Sequence, residues 1–277
     1  MEGVTLMKKD TTQFSPKHLL YIKKVKRENI FIFSMRFIIL ALLLGLWELF
    51  ATLNIIDSFI TSSPSKIVLT IKDLWVENNL FYHMLITLYE TVLGFLIAVG
   101  VGFVVALILW WSERLRRILE PYIVVLNSLP KIALGPIIIV WCGSGSKAII
   151  FMAILIGVIV AIMTMLNGFL STDKNKILLL KSMGATKFQT LTKLVIPGSF
   201  PTLISMLKIS VGLAWVGSIM GEYLVSRAGL GYLIVYGGQV FKLDLVMAAT
   251  VVLCALATLM YAFVALLERL LIKEIKK

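Results

Sequence analysis

The sequence predicts an all-α membrane protein with six transmembrane helices. Of its 277 residues, 59% are hydrophobic and only 15% are charged, and the mean hydropathy of +0.96 is typical of a membrane protein. Six apolar runs reach the roughly 20 residues that a helix needs to cross a bilayer. The runs are continuous rather than alternating with a period of two, so they favour helices over transmembrane strands.

The six predicted spans are separated by short connections, apart from two longer ones. The spans cover residues 37–56, 88–110, 121–142, 148–170, 200–224 and 245–267. Residues 1–36, which precede them, form a basic N-terminal arm that we expect to be loosely ordered near anionic headgroups. Residues 37–277 form the predicted transmembrane domain.

The basic residues are unevenly distributed among the connections. Most of the 27 Lys and Arg residues lie before the first span, between the second and third, between the fourth and fifth, or after the sixth. By the positive-inside rule these segments are cytoplasmic, which predicts cytoplasmic N and C termini. The net charge of +12 is therefore a topology signal, and no nucleic-acid partner is expected.

No group of residues predicts catalysis, a metal site or a bound cofactor. Cys142 and Cys254 lie in or at the edge of apolar runs and are expected to pack rather than to form a disulfide or bind a metal. The sequence GSGSK at residues 143–147 lacks the spacing of a phosphate-binding loop. We therefore expect a chain that is not an enzyme and does not hydrolyse ATP by itself.

Two connections on the predicted outer side are long enough to hold short helices. In the first, Ser63 is a plausible cap and Pro64 a first helical residue, which predicts an interfacial amphipathic helix with Trp75 at headgroup level. The second, residues 225–244, contains the sequence GLG at residues 229–231. This pattern predicts a turn followed by a short re-entrant or surface helix.

A polar segment rich in lysine separates the fourth and fifth spans. Residues 178–197 read LLLKSMGATKFQTLTKLVIP. Gly184 is predicted to end one short helix, and Thr186 to cap a second one that Pro197 ends. Two short helices at an angle would form a knob that a partner groove could grip. The alternative interpretation is an amphipathic loop held at the headgroups by its lysines.

This segment resembles the EAA-type motif of the membrane subunits of bacterial ABC importers. The motif reads E-A-A, three residues, Gly, nine residues and I-x-L-P. Gly184 and the sequence LVIP at residues 194–197 match its second part, whereas the sequence LLL at residues 178–180 replaces E-A-A. Further segments resemble the nitrate, sulfonate and taurine type of permease: LWE at 46–48, SPS at 63–65, TLYETVLGF at 87–95, LNSLPK at 126–131, GE at 221–222 and GLGY at 229–232.

The resemblance implies a type I ABC importer permease fold in the bacterial cytoplasmic membrane. It implies a homodimer of this chain, two copies of an ATP-binding subunit that carries ATP and Mg²⁺, and an extracytoplasmic solute-binding protein. The coupling helix region would cover about 171–198. Its implied ATPase-coupling residues are Lys181, Ser182, Met183, Gly184, Ala185, Thr186, Phe188 and Pro197. The implied solute is small: nitrate, a sulfonate, taurine or a vitamin precursor.

Polar residues inside the apolar runs are candidates for a solute pathway, because such residues are costly in a bilayer. The candidates are Asn127, Ser128 and Lys131 in the third span, which prolines should kink, and Trp215, Ser218 and Glu222 in the fifth. The alternative is that Lys131 and Glu222 are satisfied by each other, by a backbone group or by a neighbouring subunit. Glu48 and Glu90 are expected to be structural.

Two other classes of protein remain open from the residues alone. One is an ion-coupled secondary transporter or channel that needs no ATPase partner. The runs show no obvious inverted repeat and the ionisable residues form no relay, which disfavours this class. The other is a structural or assembly protein, in which the polar segment between the fourth and fifth spans would have no transport task.

Overall fold

A computed structural model describes residues 16–53, 55–77 and 80–275, and these residues form helices and connections without any strand. The α-helices in chain order are α1 (Pro16–Thr52), α2 (Ser58–Thr61), α3 (Pro64–Glu77), α4 (Leu80–Trp111), α5 (Glu113–Ser128), α6 (Gly135–Cys142), α7 (Ser146–Leu170), α8 (Lys174–Ser182), α9 (Lys187–Thr190), α10 (Ile196–Gly198), α11 (Phe200–Val225), α12 (Leu230–Gln239) and α13 (Leu243–Ile275). A 3-10 turn, Lys131–Leu134, precedes α6, and a π-helical turn, Leu191–Val195, joins α9 to α10. The predicted all-α fold is confirmed.

Five helical segments among the described residues are long and apolar enough to cross a membrane. They are Lys24–Thr52, Leu80–Trp111, Ser146–Leu170, Phe200–Val225 and Leu243–Leu270. They correspond to the first, second, fourth, fifth and sixth predicted spans. The second starts eight residues earlier than the predicted residue 88, because the residues that precede it carry no helix breaker.

The predicted third span, residues 121–142, is two helices rather than one kinked helix. The segments Glu113–Ser128 and Lys131–Cys142 meet at 85°, and only together are they long and apolar enough to cross a membrane. The break follows from Pro130, because a proline disfavours helical backbone in the residue before it. Leu129 is accordingly extended, with φ −66° and ψ 141°.

The first helix also differs from the prediction. It begins at Pro16 instead of residue 37, so residues 16–36 of the basic arm are helical where loose order was predicted. No proline interrupts the chain between Pro16 and the end of α1, which leaves the helix free to extend. The remaining part of the arm, residues 1–15, lies outside the described residues.

The chain divides into two compact units, Met1–Ser65 and Lys66–Lys277. In the first unit, Glu48 near the end of α1 accepts hydrogen bonds from the backbone N–H of Ser65 at 3.0 Å and from its hydroxyl at 2.7 Å. This contact supports the structural role predicted for Glu48. It also holds Ser65, the last residue of this unit, to α1, and the helix α3 begins at Pro64 as predicted.

The second unit is built around α7, which packs between α4 and α11. Glycines allow this approach: a Cβ added to Gly102 would lie 2.5 Å from the Cβ of Ala161, and one added to Gly217 would lie 2.4 Å from the Cα of Ala153. No side chain fits at such distances, so small residues determine the spacing of these helices. On α11, Gly217 and Gly221 thus form a packing face against α7.

The remaining predicted elements can be placed in this unit. The short helix expected in the second long connection is α12 (Leu230–Gln239), which packs against α11 and α13. Cys142 is half-buried beside Ile138 and Ala148, whereas Cys254 is exposed on α13 and so does not pack inside the described chain.

Candidate functional site

The segment between α7 and α11 is a chain of short helices with well-defined ends. The helix α8 is capped by Asp173 and ends with two backbone hydrogen bonds, from Gly184 N–H to the Lys181 carbonyl at 3.0 Å and from Ala185 N–H to the Leu180 carbonyl at 2.9 Å. This pair of bonds is a Schellman motif, which needs a left-handed residue. Gly184 supplies it with φ +81°, as predicted.

The helix α9 begins with a capping box. The backbone N–H of Gln189 donates to the Thr186 hydroxyl at 3.2 Å, and the backbone N–H of Thr186 donates to the Gln189 side chain at 2.8 Å. The predicted capping role of Thr186 is therefore confirmed. The two caps, Met183 of α8 and Thr186 of α9, are separated by Gly184 and Ala185 and give this segment a defined shape.

Pro197 does not end the second short helix, which corrects the prediction. It lies in the first turn of α10, after the π-helical turn Leu191–Val195. In that turn Ile196 N–H donates to the Leu191 carbonyl, five residues back. The wider turn changes the register of the hydrogen bonds, so the N–H that Pro197 lacks is not required and the chain continues into α11.

The segment presents large apolar side chains although it is rich in lysine. We call Leu178, Leu179, Met183 and Phe188 the coupling surface; Met183 is 74% exposed and Phe188 63% exposed. All predicted coupling residues are exposed except Ala185, which is half-buried. The π-helical turn anchors the segment, because its Val195 is fully buried against Phe169 of α7 and Met206 of α11.

Lys187 joins this segment to the end of α4, a link that sequence reasoning missed. Its Nζ lies 5.8 Å from the ring centre of Trp110 and 5.2 Å from that of Trp111, and it donates a hydrogen bond to the Trp111 carbonyl. A cation at a helix C-terminus and over aromatic rings is stabilising. No spacing in the sequence connects Lys187 with these tryptophans.

A second cluster of polar contacts lies at the N-terminal ends of α4 and α12 and the C-terminal end of α11. Three consecutive backbone N–H groups at the start of α12 donate to side chains of α4 and α11. The donors and acceptors are Gly229 to His83 Nδ1 at 2.9 Å, Leu230 to Thr87 Oγ1 at 2.8 Å and Gly231 to Glu222 Oε2 at 2.6 Å. The start of α12 is thus held by α4 and α11.

The predicted pathway residues of the fifth span are all buried between helices. Glu222 is 1% exposed and bonds to α12 as described above, and the Ser218 hydroxyl lies 2.6 Å from that of Thr91 on α4. Trp215 packs with Phe95 and other apolar side chains. In this arrangement the three residues determine how α11 packs.

The predicted pathway residues of the third span lie at the break between α5 and α6. Asn127 and Ser128 are exposed, and Lys131 Nζ donates to the Asn127 carbonyl at 3.0 Å. Lys131 and Glu222 therefore do not pair. Lys131 donates to a backbone carbonyl and Glu222 Oε2 accepts from a backbone N–H, which was one of the alternatives considered, whereas Glu222 Oε1 has no hydrogen-bond partner within the described chain.

Glu90, expected to be structural, lies at a cavity. It is 1% exposed, and its carboxyl group lies beside that of Glu222 and beside the Ser146 side chain. The cavity has a volume of about 330 Å³ between α4, the start of α7 and the loop after α11. Its polar lining comprises Tyr82, Glu90, Ser144, Ser146, Ser226 and Arg227. The sequence signal for this site was Glu90, a carboxylate within an apolar run. The other residues that line the cavity come from distant parts of the chain, so the sequence could not reveal them.

Long apolar helices packed around α7, with a short polar segment that exposes large apolar side chains, are typical of a membrane component that binds another protein. The chain belongs to the family of binding-protein-dependent transport system inner membrane components, whose family model matches residues 98–273. It is a permease, a transport subunit of an ABC importer rather than an enzyme, and the resemblance seen in the sequence is confirmed.

Several curated relatives are similar over most of their length. The putative aliphatic sulfonates transport permease SsuC of Bacillus subtilis is 28% identical over 84% of this chain and 84% of its own. The formylaminopyrimidine transport permease ThiX of Halalkalibacterium halodurans is 30% identical, over 85% of this chain and 94% of its own. The taurine permease TauC of Escherichia coli is 28% identical, over 83% and 86%.

Two solved transporters share the fold. A chain of the MetNI methionine ABC transporter, in an inward-facing conformation, superposes with a TM-score of 0.59 at 21% identity, covering 75% of this chain and 98% of its own. A chain of a bacterial alginate ABC transporter, in complex with a periplasmic protein bound to an alginate pentasaccharide, gives a TM-score of 0.61 at 15% identity, over 87% and 94%. At these identities the likeness concerns the fold alone.

Proposed function

We propose that the chain forms the translocation pathway of an ATP-driven importer for a small solute that a solute-binding protein delivers. Two copies of the chain pair in the bacterial cytoplasmic membrane and bind two copies of an ATP-binding subunit, which carries ATP and Mg²⁺. The bent pair of α5 and α6 counts as one crossing, so the chain crosses six times with both termini in the cytoplasm. The distribution of Lys and Arg supports this orientation.

The coupling surface is the observation that carries this proposal. Large apolar side chains exposed on a polar segment mark an interface with another protein. Met183 and Phe188 are such side chains, and the segment that holds them has a defined shape through the Gly184 turn and the Thr186 cap. An ATP-binding subunit is the partner that the family offers for such a surface.

The segment between α7 and α11, here called the coupling segment, is attached in a way that supports a mechanical role. It is continuous with α7 and α11, and these two helices are in close contact at Gly217 and Gly221. ATP binding would bring the two ATP-binding subunits together, move the coupling segments and open the pathway outward. Hydrolysis would return it to the inward-facing state, as in alternating access by rigid-body motion.

The names of the relatives support a small organic solute as the cargo. They concern aliphatic sulfonates, taurine, formylaminopyrimidine and riboflavin. We propose that Asn127, Ser128 and Lys131 face the solute at the break between α5 and α6, where the first two are exposed. In the proposal Trp215, Ser218 and Glu222 shape the same pathway by positioning α11 against α4.

Substitution of Gly184 tests the coupling role. Its φ of +81° is forbidden to proline and strained for tryptophan, so Gly184→Pro and Gly184→Trp should disrupt the turn between α8 and α9. We expect both variants to insert into the membrane normally, to lose the ATP-binding subunit on purification and to lose uptake. Gly143→Trp is the matched control, because Gly143 has φ +77° and open space at its Cβ, like Gly184, but lies between α6 and α7.

Co-purification of the ATP-binding subunit at the wild-type level with both Gly184 variants would contradict the coupling role, as would an equal loss in Gly143→Trp.

A separate measurement tests whether transport needs the ATP-binding subunit. Uptake by the reconstituted transporter should require ATP and be inhibited by vanadate. Full uptake in lipid vesicles without any ATP-binding subunit would favour an ion-coupled transporter or channel instead.

A further inference from the structure

The cavity at the N-terminal end of α4 has the size and composition of a ligand site. Its volume of about 330 Å³ is at the lower end of the range for small-molecule sites. Its lining combines hydroxyl groups with two oppositely charged side chains, Glu90 and Arg227. The part of the wall that follows α11 is the loop Val225–Ala228, which lies next to the GLG sequence that starts α12.

The floor of the cavity favours a positive group. Glu90 is 1% exposed, and its Oε2 has no hydrogen-bond partner within the described chain. Its neighbour Glu222 is equally buried, and in the described ranges neither carboxyl group forms an ion pair with a basic side chain. Two adjacent buried carboxyl groups repel one another when both are ionised, so Glu90 and Glu222 share a proton and carry one negative charge, and a cation beside that charge lowers its energy. An ammonium group is a compact cation with three hydrogen-bond donors.

The rim of the cavity favours a negative group. Arg227 is exposed in the loop after α11, and its guanidinium forms no ion pair with any acidic side chain that the structure describes. A guanidinium is suited to bind the planar or tetrahedral oxygens of an acidic group in a forked geometry. The hydroxyl group of Ser144, which also lines the cavity, can donate to such a group.

We propose that this cavity binds a small zwitterion, with the ammonium group on Glu90 and the acidic group on Arg227. A molecule with an ammonium group and an acidic group a few bonds apart matches a cavity that has a carboxyl group, Glu90, and a guanidinium group, Arg227, in its lining. The inference names the class of solute that the transporter accepts, and in that respect it rests on the proposed function. Binding to the cavity itself requires neither ATP nor a solute-binding protein.

Direct binding to the purified transporter tests the inference. The permease with its ATP-binding subunits, in lipid nanodiscs and without a solute-binding protein, is titrated calorimetrically with four compounds. Two zwitterions, β-alanine and 2-aminoethanesulfonate, should bind. Ethylamine, which has only the ammonium group, and ethanesulfonate, which has only the acidic group, should bind at least about tenfold more weakly, because each loses one charged hydrogen bond.

Variants assign the binding to the cavity. Glu90→Gln and Arg227→Gln should each weaken zwitterion binding about tenfold or more, and Arg227→Lys should restore part of the loss. Lys242→Gln, which removes an exposed charge outside the cavity, should leave binding unchanged. The melting temperature of each variant is measured to detect a folding defect. The comparison of the four compounds on the wild-type protein does not depend on any variant, so it tests the inference even if one variant fails to fold.

Three results would overturn the inference. They are equal binding of ethylamine and β-alanine, full competition by Na⁺ alone, and wild-type zwitterion binding in both Glu90→Gln and Arg227→Gln. Co-purification of the ATP-binding subunit is recorded in the same samples. If that subunit is retained and no zwitterion binds, only this inference fails; if zwitterions bind and no ATP-binding subunit is retained, the proposed function fails instead.

Discussion

At the scale of single residues, the carboxyl group of Glu222 occupies the space that side chains at two glycines would need. A Cβ added to Gly229 would lie 2.4 Å from Glu222 Oε2, and one added to Gly231 would lie 2.8 Å from the same atom. Gly229 also has a φ of +118°, which residues other than glycine rarely adopt. The two glycines of the GLG sequence therefore leave the space in which the buried carboxyl group of Glu222 accepts a hydrogen bond from Gly231 at the start of α12.

We expect Gly229→Ala to destabilise the protein by about 2 kcal/mol or more, because it adds backbone strain to a collision with a buried carboxylate. The measurement is thermal unfolding of the purified protein in detergent. Gly238→Ala is the control, since Gly238 lies in α12, the helix that Gly229 precedes, and has open space at its Cβ. There the change should be neutral or slightly stabilising, as alanine is the better helix former. An equal melting temperature for the two variants would contradict the account of Glu222.

The sequence showed which of these residues are unusual, but it could not pair them. Glu90 and Glu222 stand out as carboxylates in apolar runs, and Gly229 as a turn residue. The approach of Glu222 to Glu90 depends on how α4 and α11 pack against α7. For this reason Glu90 was expected to be only structural, whereas it lines a cavity.

At the scale of elements, the coupling segment is held at three places. It is continuous with α7 and with α11, and Lys187 of α9 binds the last carbonyl of α4 and lies over two indole rings. In the proposed function, this third contact passes the movement of the ATP-binding subunit to α4. The same helix carries Glu90 and Thr87 at its other end.

Lys187→Met should weaken the connection between ATP hydrolysis and uptake. The lost cation–π contact and the lost charge at the end of α4 together amount to about 1–2 kcal/mol. This corresponds to about a tenfold shift in the equilibrium between α9 bound to the end of α4 and α9 detached from it. The number of solute molecules imported per ATP hydrolysed should fall several-fold, while ATP hydrolysis continues. Lys187→Arg should retain most of the ratio, because arginine preserves the charge and the stacking.

Arg114→Met is the control for loss of a basic side chain near the same end of α4. Arg114 is exposed and forms no ion pair in the part of the chain that the structure describes. We expect its ratio of import to hydrolysis to remain at the wild-type value. A normal ratio in Lys187→Met would show that the contact is only structural.

The ends of the short helices were predictable because their signals are local. Gly184 and Thr186 act through backbone groups within five residues, and the structure places both as expected. The role of Pro197 was wrong because a π-helical turn removes the need for its N–H. The break at Pro130 was expected as a kink, and the 85° angle exceeds what a proline inside a continuous helix imposes.

At the scale of the whole molecule, the orientation in the membrane is a prediction that labelling can test. In a chain with Cys142→Ser and Cys254→Ser, single cysteines are introduced as Arg114→Cys, Ser144→Cys and Ser182→Cys. A membrane-impermeant maleimide applied to intact cells should label only Ser144→Cys. The other two positions should be labelled after permeabilisation, because six crossings place both on the cytoplasmic side.

The bent pair of α5 and α6 lies between the positions Arg114 and Ser144. If the pair entered and left the membrane on one side, cysteines at these two positions would be labelled together, which would contradict the count of six crossings. Labelling of Ser182→Cys from outside would reverse the proposed orientation. It would also place the coupling surface away from any ATP-binding subunit.

The sequence by itself determined the class of fold, five segments long and apolar enough to cross a membrane, the turn at Gly184, the cap at Thr186 and the family. These properties depend on hydropathy, on charge distribution and on backbone preferences of neighbouring residues, all of which are local. Only the tertiary structure decided that Glu90 and Arg227 line one cavity, that Glu222 lies beside Glu90, and that Lys187 reaches the end of α4. Those contacts join residues far apart in the chain, and their distances follow from the close packing of glycines and alanines on α4, α7 and α11.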